Sequence, residues 1–345
     1  MKKKLILSCF LILLVFVSCT KTEGDSELTT PLAITLTANQ TNLVTGNTVT
    51  FNVTSSLGDN LTTVSAFLVD GVAISGNSYT FTTSGTYLVK ASYQSTLSNV
   101  LQIVVTNPPP IPQFVNRVLV EEYSGTWCGN CPKILYGTQL LKEQTDKEVS
   151  VQIHLLNNDP FITAQGNQIA ANQGVSGVPT GKINRTINWN GPQYQNVNQV
   201  IGEIKPSSNA GVAINASLTN NTINATIKLG FSDTTIAAKL VVYLVEDNLF
   251  HTQANYSSNL YGGLSSIPNF EYDGVLRAVI SSINGDAITV NGLTVDKNYT
   301  FTVPSNVSSS SNIKLVAFLI DSNSNSVINV REATIGVNQS LEMLN

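Results

Sequence analysis

Apolar and polar residues alternate in short runs from residue 33 to residue 106. Period-two alternation rich in β-branched and aromatic residues is typical of strands. Turn signals rich in Gly, Asn and Asp separate the runs by roughly 8–12 residues, as in β-sandwiches. The clearest runs lie at 33–36, 48–53, 65–69, 79–81 and 87–89. The pattern predicts an immunoglobulin-like β-sandwich over residues 33–106, without a cysteine pair of the antibody type.

Residues 107–113 are rich in proline and predict a stiff linker, because proline fixes φ and cannot donate to a sheet. Beyond the linker, runs typical of strands alternate with runs at helical spacing. The predicted elements are strand 118–123, helix 132–143, strand 149–156, a helix ending near residue 174, strand 180–187 and helix 192–205. Asp159 and Pro160 are expected to be the N-cap and first residue of the second helix. The alternation predicts an α/β domain over residues 114–206.

The period returns to two after residue 206. Strands are expected near 212–214, 223–227, 240–245, 275–280, 299–303 and 314–320, which predicts a C-terminal β-sandwich over residues 207–345. The intervening stretch 248–273 carries Tyr256, Tyr261, Phe270 and Tyr272. We expect a folded surface loop there, which either binds a ligand or packs its rings on the sheet.

The N-terminus has the features of a signal peptide over residues 1–18. Three lysines precede an apolar run that is too short to span a bilayer. The sequence Phe16-Val17-Ser18-Cys19 is similar to the lipobox of bacterial lipoproteins, in which the cysteine is acylated and anchors the protein in the membrane. An ordinary cleaved secretory peptide is the alternative. Residues 19–32 would then be the acylated Cys19 followed by a flexible tether.

Charge narrows the range of partners. The chain has 18 basic and 22 acidic residues, so removing the three N-terminal lysines leaves 15 against 22, a net charge of −7. An acidic protein is a poor ligand for nucleic acid, which is therefore excluded as a partner. The low charged fraction of 12% beside 42% apolar residues is typical of a strand-rich exported protein.

Only Cys128 and Cys131 remain in the folded protein, because Cys9 lies in the signal peptide and Cys19 would carry lipid. The pair stands where a strand passes into a helix, whose N-terminus stabilises a thiolate on Cys128. Cys131 could then resolve a mixed disulfide. Half a zinc site is the alternative, but the sequence shows no ligand spacing to complete it. We predict no metal and no cofactor.

Two carboxylates precede the cysteines on the predicted strand. Glu122 lies six residues before Cys128, and its neighbour Glu121 must point to the opposite face, so only one of them can serve the cysteines. The alternative is that both are surface carboxylates on an edge strand. His154 lies in an apolar strand and is expected to be a core residue.

Residues 118–132, together with Gly177-Val178-Pro179-Thr180, resemble the "outer membrane protein 28"-related lipoproteins of Bacteroidetes. The stretches 243–247, 275–279 and 315–318 resemble the β-domain of that family, so the resemblance extends over residues 117–345. It implies a thioredoxin-like domain at 114–206, on a lipoprotein at the periplasmic face of the outer membrane or on the cell surface.

The thioredoxin-like fold in turn implies roles for named residues. A cis-proline faces the dithiol in such folds, which would make Pro179, with Trp127, Val178 and Thr180, the substrate-binding residues. A buried acid moves the proton, which would be Glu122.

Two functions remain open. The first is thiol–disulfide exchange on exported proteins that carry thiols or disulfides, with a redox-active pair at Cys128 and Cys131 and an electron donor that the sequence does not identify. The alternative is a non-catalytic binding or structural surface lipoprotein in which the same disulfide is a structural clip. Whether the protein is an enzyme is therefore not decided by the sequence.

Overall fold

The computed structural model describes residues 33–156 and 158–344. The predicted signal peptide, Cys19 and the tether lie outside the described residues. The chain divides into two compact units, with the boundary between Pro109 and Pro110. This boundary falls within the proline-rich segment 107–113. No helix of the described part is long and apolar enough to cross a membrane.

The first unit is a β-sandwich. Its strands are β1 (Ile34–Ala38), β2 (Asn42–Val44), β3 (Thr48–Ser55), β4 (Ala66–Val69), β5 (Val72–Ile74), β6 (Ser78–Thr80), β7 (Gly85–Tyr93), β8 (Thr96–Leu97) and β9 (Leu101–Thr106). One sheet has the order β1-β3-β6 and the other β2-β9-β7-β4-β5, with β8 paired to β7. Alternate residues of β3 point inward, so Val49 and Phe51 pack with Phe67 and Ile103 of the second sheet.

The second unit contains three α-helices and fourteen strands within the described residues. They are β10 (Val118–Ser124), α1 (Pro132–Gln144), β11 (Glu148–His154), α2 (Ala164–Asn172), β12 (Thr180–Ile183), β13 (Ile187–Trp189), α3 (Val197–Ile201), β14 (Ala210–Thr219), β15 (Thr222–Phe231), β16 (Ala238–Glu246), β17 (Leu249–Ala254), β18 (Ser266–Tyr272), β19 (Val275–Val279), β20 (Asp286–Ala287), β21 (Thr294–Thr302), β22 (Ile313–Asp321) and β23 (Val327–Thr334).

A single nine-stranded sheet runs through this unit in the order β13-β12-β10-β11-β19-β16-β22-β23, with β20 paired to β16. The structure thus differs from the separate domains expected at 114–206 and 207–345. The reason is that β11 pairs with β19 in parallel, Gln152 lying opposite Val275, which closes the edge that a separate α/β domain would expose. The smaller sheet β14-β15-β21 contributes to a core shared with β16 and β22.

Four local predictions require correction. The second helix begins at Ala164, because the Thr163 hydroxyl accepts the N–H of Gly166 at 2.9 Å and so caps the helix. The predicted cap, Asp159, instead forms hydrogen bonds with Thr126 and His154. The strand expected at 180–187 is divided between β12 and β13. The helix expected at 192–205 is shortened to α3, because Asn196 has a non-helical backbone before it. The expected loop 248–273 contains the hairpin formed by β17 and β18.

Candidate functional site

Cys128 and Cys131 form a disulfide in the loop between β10 and α1, with their Cα atoms 5.4 Å apart. The N–H of Cys131 donates to the carbonyl of Cys128 at 3.0 Å, and Pro132 begins the helix. Proline suits this position because the first helical residue has no intrahelical partner for its N–H. Cys131 is fully buried and Cys128 is 5% exposed. Neither sulfur is open to a large substrate in this conformation.

The β17–β18 hairpin covers this loop. The N–H of Ala254 donates to the carbonyl of Thr126 at 2.8 Å, and the N–H of Tyr256 donates to that of Gly129 at 2.6 Å. Between them, the side-chain amide of Gln253 donates to the carbonyl of Cys128 at 2.9 Å. With a longer bond of 3.4 Å from the same amide to the carbonyl of Gly125, the hairpin forms four hydrogen bonds with the loop that holds the disulfide.

Gly129 is required by the aromatic ring above it. A Cβ at position 129 would overlap the ring of Tyr256, so only glycine allows this close approach. The other face of the Tyr256 ring meets solvent, since the residue is 76% exposed. Gln253 was not predicted as a site residue. The aromatic residues of 248–273 were the only signal that this stretch is more than a connection.

The base of the hairpin is anchored in the core. The Tyr272 hydroxyl donates to the Gln253 side chain at 2.7 Å, and the ring of Tyr272 packs edge-on against His154 and Phe161. Burial raises the pKa of Tyr272, so the hydroxyl keeps its proton and remains a donor. The prediction that His154 is a core residue is confirmed by its burial.

Asp159 ties the disulfide loop to β11. Its carboxylate lies 2.9 Å from Nδ1 of His154 and accepts both the N–H and the hydroxyl of Thr126, at 2.7 and 2.9 Å. Burial alone would raise the pKa of Asp159, but the hydrogen bonds from His154, Phe161 and Thr126 outweigh it and lower the pKa. Trp127 adds a further tie, donating its indole N–H to the carbonyl of Leu155 at 3.0 Å.

Glu121 and Glu122 point to opposite faces of β10, as the strand period predicts. Both are fully buried, so the alternative that they are surface carboxylates on an edge is wrong. The reason is that β10 lies inside the sheet, between β12 and β11. Thr138 of α1 donates its hydroxyl to Glu122 at 2.6 Å, and the second carboxyl oxygen of Glu122 has no hydrogen-bond partner among the described residues. Burial raises the pKa of Glu122 to about 7.

The remaining predicted residues are only partly brought together. The Val178-Pro179 peptide bond is cis, and Pro179 and Thr180 line a cleft of roughly 720 Å³ together with Asn130, the residue before Cys131. Trp127 and Val178 do not line this cleft; Val178 packs against a core cluster instead. Within the described residues, no cluster of three or more His, Cys, Asp or Glu side chains could hold a metal ion.

Comparison with known proteins shows which fold and which family this chain resembles. HBP35 of Porphyromonas gingivalis has a similar structure, with a TM-score of 0.53 and 17% identity over 66% of this chain and 80% of that one. A domain of the outer membrane lipoprotein Omp28 of Porphyromonas gingivalis shares 22% identity over 39% of this chain and 93% of that one, with a TM-score of 0.27. No curated protein shows a significant match to the sequence.

The sequence model of the family described as "Outer membrane protein Omp28" matches residues 166–339, about half of the chain. This range includes residues 177–180 and the C-terminal stretches that carry part of the resemblance, whereas residues 118–132 lie before it. The chain belongs to the Omp28 family of outer membrane proteins, and its location is the outer membrane, as expected of the lipid-anchored protein that the sequence predicts.

Proposed function

We propose that the protein is a non-catalytic binding or structural lipoprotein, anchored through acylated Cys19, in which the Cys128–Cys131 disulfide is a structural clip. The observation that carries this proposal is the burial of both sulfurs beneath a hydrogen-bonded hairpin. Thiol–disulfide exchange requires a thiolate to reach a sulfur atom, and a covered disulfide resists that attack. The clip instead holds the carbonyls of Cys128 and Gly129 in place for the hairpin.

The reduction potential tests this function. The purified protein is equilibrated at a series of glutathione ratios, alkylated while folded, and its thiols are counted by mass. We expect a potential below about −300 mV and alkylation only after unfolding, as for structural disulfides. A potential between about −120 and −270 mV, with Cys128 alkylated in the folded protein, would instead identify an exchange catalyst.

A second candidate function, thiol–disulfide exchange, is favoured by Glu122. A buried carboxyl with a pKa of about 7 on the strand before Cys128 can accept and release a proton near neutral pH. The element order β–α–β–α–β–β–α from β10 to α3, with strand order β13-β12-β10-β11, supports the thioredoxin-like interpretation of residues 114–206.

In this candidate mechanism the Cys128 thiolate attacks a disulfide of an exported protein, and Cys131 displaces the product from the mixed disulfide. Glu122 carries the proton, and the substrate docks on Trp127, Val178, Pro179 and Thr180. An unidentified donor of two electrons then restores the dithiol. Reduction of insulin disulfides by the reduced protein, abolished in Cys128→Ser, would support this function. Equal rates for the two proteins would exclude it.

A further inference from the structure

The cleft beside the disulfide loop has an unusual charge. It opens at the edge of the large sheet, where β12 and β13 meet the N-terminus of α1, and it contains Lys133 and Lys182 but no acidic residue. A second cavity of roughly 520 Å³, between α1 and the hairpin, is lined by three acidic residues, Glu143, Glu271 and Asp273, and only one lysine. The chain as a whole carries more acidic than basic residues, so a cleft whose charged residues are all lysines differs from the average composition of the chain.

In the part of the chain that the structure describes, the two cationic side chains of the cleft have no anionic partner. Lys133 and Lys182 are both half-buried, and neither takes part in an ion pair among residues 33–156 and 158–344. Lys133 donates to the side-chain oxygen of Asn130 at 2.9 Å, which directs its ammonium group toward the loop. A carboxylate placed here would interact more strongly than one at an open surface, because the surroundings are less polarisable than water.

We propose that this cleft binds an acidic polypeptide segment, with carboxylates of the ligand on Lys133 and Lys182. The side-chain amides of Asn130 and Asn188 in the cleft can both donate and accept, which matches the N–H and C=O groups of a peptide. An acidic polysaccharide fits less well. Of the two aromatic residues that line the cleft, Trp189 is only 3% exposed and has its indole N–H bound to the carbonyl of Asn196, which leaves the half-buried Tyr194 as the ring on which a sugar could stack.

The ligand does not extend the sheet. β13 is the edge strand, and Gln199 already occupies its outer side, donating to the carbonyl of Asn188 and accepting the N–H of Asn190, both at 2.8 Å. A side chain that satisfies edge groups in this way blocks the addition of a further strand. Recognition must therefore come from the cleft's side chains. This inference gives the proposed binding function a ligand class and does not depend on whether the disulfide exchanges.

Fluorescence anisotropy tests the inference with the intact protein in a neutral detergent. The probe is a fluorescein-labelled peptide of alternating Glu and Ala, with Gln-Ala and Lys-Ala peptides of equal length for comparison. We expect the Glu-Ala peptide to bind and the other two peptides not to bind. Raising the salt concentration from about 0.05 to about 0.5 M should weaken the binding of the Glu-Ala peptide. Lys133→Gln and Lys182→Gln should each weaken binding roughly fivefold.

Lys147→Gln is the matched control, since this lysine is exposed and lies outside the cleft. Its affinity should equal that of the unmodified chain. Failure of the Glu-Ala peptide to bind, equal binding of the Gln-Ala peptide, or full affinity in the double lysine variant would each overturn the proposal. Saturable, lysine-dependent binding of polygalacturonate without peptide binding would assign the cleft to a polysaccharide instead. The reduction potential is measured separately, so the clip and the cleft can fail independently.

Discussion

The hydroxyl of Tyr243 on β16 donates to Oε1 of Glu121 on β10 at 2.9 Å. Both residues are fully buried, and Arg185 lies within reach of both, 3.4 Å from Glu121. Burial raises the pKa of Tyr243, so the hydroxyl stays protonated and acts as a donor. The contact joins the two halves that the sequence assigns to separate domains. It lies beside an apolar cluster that includes Leu119 of the first half and Phe318 of the second.

Glu121→Gln should therefore destabilise the whole second unit. The substitution leaves the Arg185 guanidinium buried without its anionic partner, which costs about 3 kcal/mol of unfolding free energy. Urea denaturation followed by tryptophan fluorescence measures this directly, because the chain's two tryptophans, Trp127 and Trp189, both lie in that unit. Replacing both charges, with Glu121→Leu and Arg185→Met, should recover most of the loss.

Exposed Glu143→Gln is the control for removing a carboxylate and should change the unfolding free energy by less than about 0.5 kcal/mol. We also expect one unfolding transition for the unit, since the apolar cluster around Glu121 and Tyr243 contains residues of both halves. Two resolved transitions, or a loss in Glu121→Gln as small as in the control, would show that the halves are independent.

Glu122 should make stability fall as pH rises. Its pKa is about 7 in the folded protein against 4.5 without the fold, so between these values the folded state binds the proton and the unfolded state does not. Stability then decreases with pH across this window, by about 3 kcal/mol in all at roughly 1.4 kcal/mol per pH unit. Below the window both states are protonated and the contribution is constant.

Glu122→Gln tests this sign. The variant cannot ionise, so it should lose this part of the pH dependence and be more stable than the unmodified chain at pH ~8, where the native carboxylate is charged without full hydrogen bonding. Urea midpoints for the two proteins at pH ~5 and pH ~8 give the comparison. Parallel pH profiles would mean that Glu122 titrates normally.

The features of the site that could be predicted from the sequence are those that depend only on the spacing of neighbouring residues. The start of α1 at Pro132 and the opposite faces of Glu121 and Glu122 follow from neighbouring residues alone. Burial of both carboxylates could not be predicted, because it depends on strands that flank β10 in space. Gln253 was missed for the same reason: its contact with Cys128 joins segments 125 residues apart. Period-two patterns identify strands but carry no information on which strands pair.

Gly129→Ala should uncover the disulfide. The new methyl group overlaps the Tyr256 ring, so the ring must move away from the loop and no longer covers it. Dithiothreitol should then reduce the disulfide about tenfold faster, equivalent to roughly 1.4 kcal/mol of opening free energy. The rate is followed by alkylation and mass. Tyr256→Ala removes the ring and should also accelerate reduction.

The double variant Gly129→Ala with Tyr256→Ala tests whether the faster reduction of Gly129→Ala comes from overlap of its methyl group with the Tyr256 ring or from a general loss of stability. The methyl group now has room, so adding Gly129→Ala to Tyr256→Ala should cause no further acceleration. Gly292→Ala is the matched control, because a Cβ there meets nothing within 4 Å and its rate should be unchanged. Additive effects of the two substitutions would show that the ring and the glycine act separately.

Removing the clip should loosen the hairpin but leave the first unit unchanged. A disulfide that closes so short a loop stabilises a protein by roughly 2 kcal/mol in the chain-entropy model, so Cys128→Ser with Cys131→Ser should lose about that amount. The amides of Ala254 and Tyr256 donate to the disulfide loop, so their hydrogen exchange should become faster. Mass spectrometry of peptides that span residues 249–256 measures this, and peptides from residues 33–106 are the internal control. Unchanged protection of Ala254 and Tyr256 would mean that the hairpin holds the loop without help from the disulfide, and the structural role proposed for the Cys128–Cys131 disulfide would then be wrong.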